Sequence, residues 1–430
     1  MIYQSLNHSS RPVDFESAVL NGIASDRGLY FPSEIRILPK KIISEIKNLS
    51  TNEIAYHSIK NFIGKSIPKK NLITIIDKTI DFEFPLVDVG DDIYSLELFH
   101  GPTLAFKDVG ARFMARSLEY FNRNSNSVLT VLVATSGDTG GAVADGFYDV
   151  PGIRVIILYP KGKVSEIQKV QMTSYGKNIT TIEVDGDFDD CQKFVKNAFL
   201  DEQIKSNCKL TSANSINVAR WLPQMFYYFF AYKNIHKYNY PIVFSVPSGN
   251  FGNLCAGLMA KRIGLPIDKF IACTNLNDSF PRYLDSGIFD PKKTIQTISN
   301  AMDVGNPSNF PRIQKIYNND INKLKKDILG YRFNDNQTRK IIKKVYAEFN
   351  YILDPHGAIG YMGLKKYFKS HTKSTGIFLE TAHPIKFAET IEKKLKIKVE
   401  IPKSIDFSKQ TVSSKLMSNY DDLKSFLLQN

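Results

Sequence analysis

Lys107 closes the run Ala105-Phe106-Lys107, and its surroundings give an amine there reason to react rather than to dissolve. The residues before it, Ile93-Tyr94-Ser95-Leu96-Glu97-Leu98-Phe99, alternate as a short half-buried strand does. Gly101-Pro102 then forces a turn. After the lysine, Val109 to Leu118 is apolar at helical spacing, so Lys107 stands near a helix N-terminus, just behind an apolar pair. Both features disfavour an ammonium and lower its pKa, which frees the amine as a nucleophile or base. The competing reading is a snorkelling side chain whose head reaches water.

Three further stretches have residue types suited to small-molecule chemistry. Ser248-Gly249-Asn250-Phe251-Gly252-Asn253 lies between an apolar run and a helical pattern, where backbone N–H groups converge on an anion. It lacks the lysine of a Walker loop, and a tight packing turn explains it equally well. Thr135-Ser136-Gly137-Asp138-Thr139-Gly140 is placed alike and is rich in hydroxyl and N–H donors. Within it Asp138 repels an anion and reads equally as an N-cap or turn residue. Thr381 ends another apolar run, where a capping hydroxyl is the simple account. His100, His356 and His383 stand in turns without HExxH-type spacing, so packed or hydrogen-bonded histidines are expected, with no metal.

These segments must be held by regular elements, and their order is legible. Val128–Ala134 is a continuous apolar run, the mark of a strand buried on both faces. Strands are expected at 154–159, 179–184, 209–212, 242–247, 270–274 and 375–381. Helices are expected at 142–147, 164–175, 188–199, from 214 to about 233, after 253 through 263, and over 330–344. Such alternation implies parallel βαβ units. In the first section, 15–20, 52–63 and 70–80 read as helices and 25–32 as a loop. The stretch beyond 403 is expected to pack late or fray.

The segment His100-Gly101-Pro102-Thr103-Leu104-Ala105-Phe106-Lys107-Asp108 resembles the cofactor-lysine segment of threonine synthases, which use pyridoxal 5'-phosphate on the fold type II architecture. The resemblance runs from Ser9-Ser10-Arg11-Pro12 and Asp26-Arg27-Gly28-Leu29-Tyr30 to His383-Pro384-Ile385-Lys386-Phe387, with motifs in family order. It implies two open twisted parallel-sheet α/β domains with an additional N-terminal domain, divided as 1–95, 96–215 and 216–430. It implies that Lys107 forms the Schiff base with the cofactor aldehyde. Ser248, Gly249, Asn250, Phe251, Gly252 and Asn253 would cradle the cofactor phosphate, and Thr381 would bond the pyridine nitrogen. Thr135, Ser136, Asp138 and Thr139 would grip the substrate's α-carboxylate. The implied reaction is O-phospho-L-homoserine plus water giving L-threonine and phosphate. Such a substrate needs a second anion site, for which Arg112, Asn217 and Arg220 are the candidates near the motifs. Lys386 or the 303–309 loop comes next. A dehydratase or sulfhydrylase on the same fold is the alternative.

The totals fit a soluble enzyme. The 430 residues exceed one ordinary core, and 43% hydrophobic with 23% charged residues is a globular composition. Four scattered cysteines without metal spacing, no secretory signal and no run long enough to span a bilayer point to the cytoplasm. A net charge of +13 raises nucleic-acid binding as a rival. The lysines, however, are spread over the whole length, so a small-molecule enzyme, as monomer or homodimer, is expected instead, with no nucleic-acid or membrane partner.

Overall fold

In the computed structural model, residues 1–235, 240–371, 373–402 and 414–429 are described. The strands, in chain order, are β1 (Ile2–Ser5), β2 (Val13–Asp14), β3 (Tyr30–Pro32), β4 (Leu86–Asp88), β5 (Ile93–Glu97), β6 (Leu129–Ala134) and β7 (Ile153–Pro160). They continue as β8 (Ile179–Val184), β9 (Lys209–Ser212), β10 (Ile242–Pro247), β11 (Lys269–Thr274), β12 (Ile328–Arg332), β13 (Thr375–Glu380) and β14 (Lys415–Met417). β6, β10 and β13 are buried at every position, as continuous apolar runs require when helices cover both faces.

Two sheets carry the fold. The smaller is parallel throughout, in the order β14-β8-β7-β6-β9. The larger runs β12-β11-β10-β13-β5-β4, parallel except for the antiparallel edge β4. A third, antiparallel sheet, β2-β1-β3, belongs to the N-terminal section. The expected pair of parallel-sheet units with an N-terminal addition is therefore present.

The sheets recruit residues across the boundaries expected at 95/96 and 215/216. β5 straddles the first boundary and pairs with β13 of the larger sheet, Leu96 opposite Leu379. β14 lies far beyond the second, yet pairs with β8 of the smaller sheet. Several local expectations are also corrected. Residues 30–32, read as loop, form β3 because Tyr3, Gln4 and Ser5 offer them a ladder. Residues 330–332, read as helix, finish β12, and the helix begins only at Asp335 behind the Asn334 cap. The helix expected from 214 to about 233 is interrupted at Leu222–Gln224 by Pro223, which restarts it as Met225–Asn234. Residues 403–413 lie outside the described ones. Beyond them Tyr420–Gln429 is a helix that buries Leu423 and Leu427 completely, so this part of the tail packs.

Candidate active site

The lysine loop bridges the sheets. β5 leaves the larger sheet, and Leu98 N–H still donates to Glu380 O at 3.0 Å. The helix Lys107–Asn122 then packs on the helix Asp138–Phe147 above the smaller sheet. Between them the loop is pinned to the end of β13: Phe106 N–H donates to Thr381 O at 2.9 Å and His383 N–H to Leu104 O at 3.0 Å. Leu104 is held at a φ of 58°, a left-handed conformation uncommon for leucine, three residues before the lysine.

Lys107 is the first residue of its helix. Its Nζ donates to Thr139 Oγ1 at 3.1 Å and lies 4.9 Å from the centre of the Phe106 ring. Burial lowers its pKa to about 8; Asp138 opposes that fall, while Arg220 and Lys386 assist it.

Asp138 heads its helix beside Thr139. Its Oδ1 accepts from Lys386 Nζ at 2.8 Å and from Gln168 Nε2 at 3.0 Å. Burial alone would push this carboxyl up, but the Lys386 ammonium, then Lys107 and the Gln168 amide, outweigh it and hold it at about 2. Its charge is thus neutralised by protein rather than aimed at an incoming anion. Thr135, just before, turns its hydroxyl inward, where Oγ1 accepts from Gly137 N–H at 3.0 Å and Gly140 N–H at 2.8 Å. That bond shapes the loop, and Ser136 is half-buried beside it.

The second loop follows β10. Ser248 N–H donates to Cys273 O at 2.9 Å, and Asn253 closes the turn by donating from Nδ2 to Pro247 O at 2.8 Å. The N–H groups of Gly249, Asn250, Phe251, Gly252 and Asn253 donate to no described residue, and the helix Gly252–Arg262 starts there. Phe251 is left-handed, at a φ of 59°. A Cβ on Gly249 would come within 2.8 Å of Met302 Cα and 3.0 Å of the Ala301 carbonyl oxygen, so the backbone is closed in from behind. Unpaired donors at a helix N-terminus, a half-buried lysine of lowered pKa and a Thr381 hydroxyl that bonds no described residue fit a phosphorylated, aldehyde-bearing cofactor.

The phosphate-type loop is braced from below. Asn250 Oδ1 accepts from Ser308 N–H at 3.1 Å and Ser308 Oγ at 2.8 Å, and Asn250 O accepts from Asn309 N–H at 3.3 Å. Asn309 Nδ2 donates to Ser215 Oγ at 3.0 Å. Arg312, fully buried, completes the brace by donating to Asn309 Oδ1 at 2.8 Å, Ser215 O at 2.9 Å, Tyr30 O at 3.1 Å and Ile216 O. Its guanidinium lies 4.3 Å from the Trp221 ring centre.

The three residues expected to clamp a second anion are placed apart. Arg112 pairs bidentately with Asp81, one bond being 2.6 Å, away from Lys107. Asn217 caps its own helix and donates to Val19 O at 2.9 Å. Arg220 is buried, gives Nη1 to Ala213 O at 2.6 Å and leaves Nε unpaired. Thus Lys107, Asp138, Thr139 and Thr381 converge through the lysine loop, with Arg220 close enough to lower the amine's pKa.

Lys386 and the 303–309 loop were expected only as fallback anion sites, and Gln168 and Arg312 had no expected role; Lys386 instead pairs with Asp138, and Asn309 bonds Ser215. For Lys386 a signal existed, since Pro384-Ile385-Lys386 repeats the pattern of a lysine behind an apolar residue at a helical turn. The N-terminal motifs prove to be mutual. Asp26 accepts from Ser5 Oγ at 2.6 Å, Ser9 N–H at 2.8 Å and Gly28 N–H at 2.9 Å, which joins the two segments. Arg11 and Arg27, both exposed, line a cleft of about 1620 Å³ that reaches Ala134, Asn214, Asn250 and Ser308. Among the described residues no group of three or more His, Cys, Asp or Glu is placed to hold a metal.

Comparison with known proteins decides the family. The family model for the threonine synthase N terminus matches residues 2–80, that for pyridoxal-phosphate dependent enzymes 84–377, and that for the threonine synthase C-terminal region 357–424. The chain belongs to the threonine synthase family. It is 44% identical to the threonine synthase of Buchnera aphidicola subsp. Acyrthosiphon pisum, across 100% of this chain and 99% of that one. The crystal structure of the Escherichia coli threonine synthase superposes with a TM-score of 0.93 at 39% identity, with all of both chains covered. The pyridoxal-phosphate-bound threonine synthase of Brucella melitensis does so at 0.93 and 32%, covering 100% of this chain and 99% of that one. The fold is therefore that of the fold type II pyridoxal-phosphate enzymes, and this family member is a pyridoxal-phosphate-dependent lyase. No helix among the described residues is long and apolar enough to cross a membrane.

Proposed function

We propose that this threonine synthase family member converts O-phospho-L-homoserine and water to L-threonine and phosphate, with Lys107 as the working amine. The observation that carries the reading is Lys107, a half-buried side chain whose Nζ is hydrogen-bonded to Thr139 Oγ1 and whose pKa desolvation lowers to about 8. Such an amine is partly free at neutral pH, so it can anchor a cofactor aldehyde and, once released, carry a proton at Nζ. Pyridoxal 5'-phosphate, when bound, supplies the electron sink that makes carbon–hydrogen bonds next to the amino group acidic.

The remaining roles belong to the chain. The unpaired N–H groups of Gly249 to Asn253 would hold the cofactor phosphate, and Ser248 and Asn253 keep their loop in shape. Thr381 would meet the ring nitrogen with a hydroxyl rather than a carboxylate, which tempers the sink. Ser136, Thr139 and the loop N–H groups would take the substrate carboxylate, on a turn shaped by Thr135. Arg220, buried with Nε unpaired, is the best placed of the three candidates for the substrate's phosphate. The lysines, spread along the whole chain, support a small-molecule enzyme over a nucleic-acid binder, and a cytoplasmic monomer or homodimer is proposed with that reading.

The test is Lys107→Ala, assayed for cofactor absorption and for threonine and phosphate released together. Both products and the imine band should disappear. A 2-oxo acid in place of threonine from the unaltered protein would instead assign a dehydratase.

A further inference from the structure

Lys386 is fully buried, and its ammonium has two acceptors, Thr103 O at 2.7 Å and Asp138 Oδ1 at 2.8 Å. The lysine follows β13 of the larger sheet, whereas Asp138 heads a helix over the smaller one. The same two oxygens are held again from the helix Glu166–Thr173: Gln171 Nε2 donates to Thr103 O and Gln168 Nε2 to Asp138 Oδ1, both at 3.0 Å. A four-sided clasp therefore fixes the Asp138 carboxylate across the seam between the sheets. On the other side of the same turn, Lys107 Nζ finds the neighbouring hydroxyl, Thr139 Oγ1.

We propose that Lys386 is a positioning residue for Lys107: it competes for Asp138, keeps that carboxylate on its own side of the turn, and leaves the Lys107 amine on a hydroxyl instead of in an ion pair. A carboxylate at ion-pair distance favours the charged amine, and a charged amine neither attacks an aldehyde nor accepts a proton. The charged groups acting on Lys107 are Asp138, Arg220 and Lys386, beside the Phe106 ring. Those acting on Asp138 are Lys386 and Lys107, with the Gln168 amide. Asp108, two hydrogen bonds from Thr103, also feels Lys386 and Asp145. Of these, Asp138 is the carboxylate that acts on Lys107 directly, and Lys386 is its fully buried counter-ion.

The consequence for catalysis rests on the reading of Lys107 as the working amine; the chemical test does not. The full chain, freed of cofactor with hydroxylamine, is acetylated with trace acetic anhydride across pH about 6 to 11, and Lys107 labelling is read by peptide mass spectrometry. The cofactor-loaded chain, with Lys107 protected, is the control. The unaltered chain should reach half-labelling near pH 8. Lys386→Met should move that midpoint up by about one pH unit or more, about fivefold less acetylation at pH 8. Asp138→Asn should move it down, Asp138→Asn/Lys386→Met should return it toward the starting value, and Lys386→Arg should hold it. Opposite shifts from the two single variants are what loose packing alone does not produce. No shift in Lys386→Met, or shifts of the same sign in both, would overturn the proposal. If Lys386→Met does not fold, an upward or absent shift in Asp138→Asn overturns it alone. Retained threonine formation by Lys107→Ala would remove the functional reading while leaving the labelling result intact.

Discussion

Arg312 is the residue on which the brace beneath the cofactor loop depends, and its removal has a calculable cost. Arg312→Met keeps an unbranched apolar stem in the buried space and deletes the guanidinium. Four acceptors, Tyr30 O, Ser215 O, Ile216 O and Asn309 Oδ1, then lose their donor. Charge-assisted bonds are worth about 1.5–3 kcal/mol each, so the four together supply about 6–12 kcal/mol. These values are already net of desolvation, and bonds that share one guanidinium are not additive, so their sum is an upper bound. The net loss centres on about 4 kcal/mol, beyond the usual range for one substitution. Trp221, the chain's single tryptophan, stacks on Arg312, so urea unfolding followed by its fluorescence reports on this layer directly. Arg312→Lys offers a point charge in place of a planar fork and should lose about half as much. Because Asn309 also holds Asn250, cofactor affinity should fall along with stability in both variants. A loss below about 1 kcal/mol in Arg312→Met would refute the argument, for it would mean that the four acceptors had other partners.

Two more tests address the cofactor cradle. Gly249→Val should weaken cofactor binding at least tenfold, about 1.4 kcal/mol, because even its Cβ would meet the Met302 and Ala301 backbone; equilibrium dialysis with the cofactor checks this, and unchanged affinity returns the loop to a packing turn. Thr381→Asp should place a carboxylate at the ring nitrogen, shift the bound cofactor's absorption and increase side products relative to threonine. An unaltered spectrum in that variant would separate Thr381 from the ring.

The order of elements was legible because burial on both faces writes a nearly unbroken apolar run, as at Leu129–Ala134 and Ile242–Pro247, where Thr130 and Ser245 are the polar members. The places of Lys107 at a helix start and of the two loops between strand and helix were legible because glycine, hydroxyl and lysine types recur where a strand gives way to a helix. Pairing was less so. Nothing local at Ile93–Glu97 shows that, besides the adjacent β4, it takes β13, more than 280 residues on, as its second ladder partner. Asp138 looked misplaced in an anion-binding turn because its counter-ion, Lys386, comes from another sheet. Arg112 looked available because Asp81, which engages it, lies on a separate segment. Long-range partners decide what a charged side chain is free to do, and spacing along the chain does not report them.

β14 carries a consequence for how the chain is made. The smaller sheet's other strands, β6 to β9, are complete once residue 212 has been synthesised, but the edge of β8 is covered only by Lys415–Met417. Ser414 adds bonds to Tyr159 at 2.9 Å and Thr181 at 2.8 Å, and Leu423 and Leu427 close the apolar layer behind them. On the ribosome, at about 5–20 residues per second, some 200 further residues take about 10–40 seconds to appear. During that interval β8 is an open parallel edge, the kind of surface on which unfinished chains join one another. Nascent chains stopped before residue 415 should therefore be the ones that chaperones must hold.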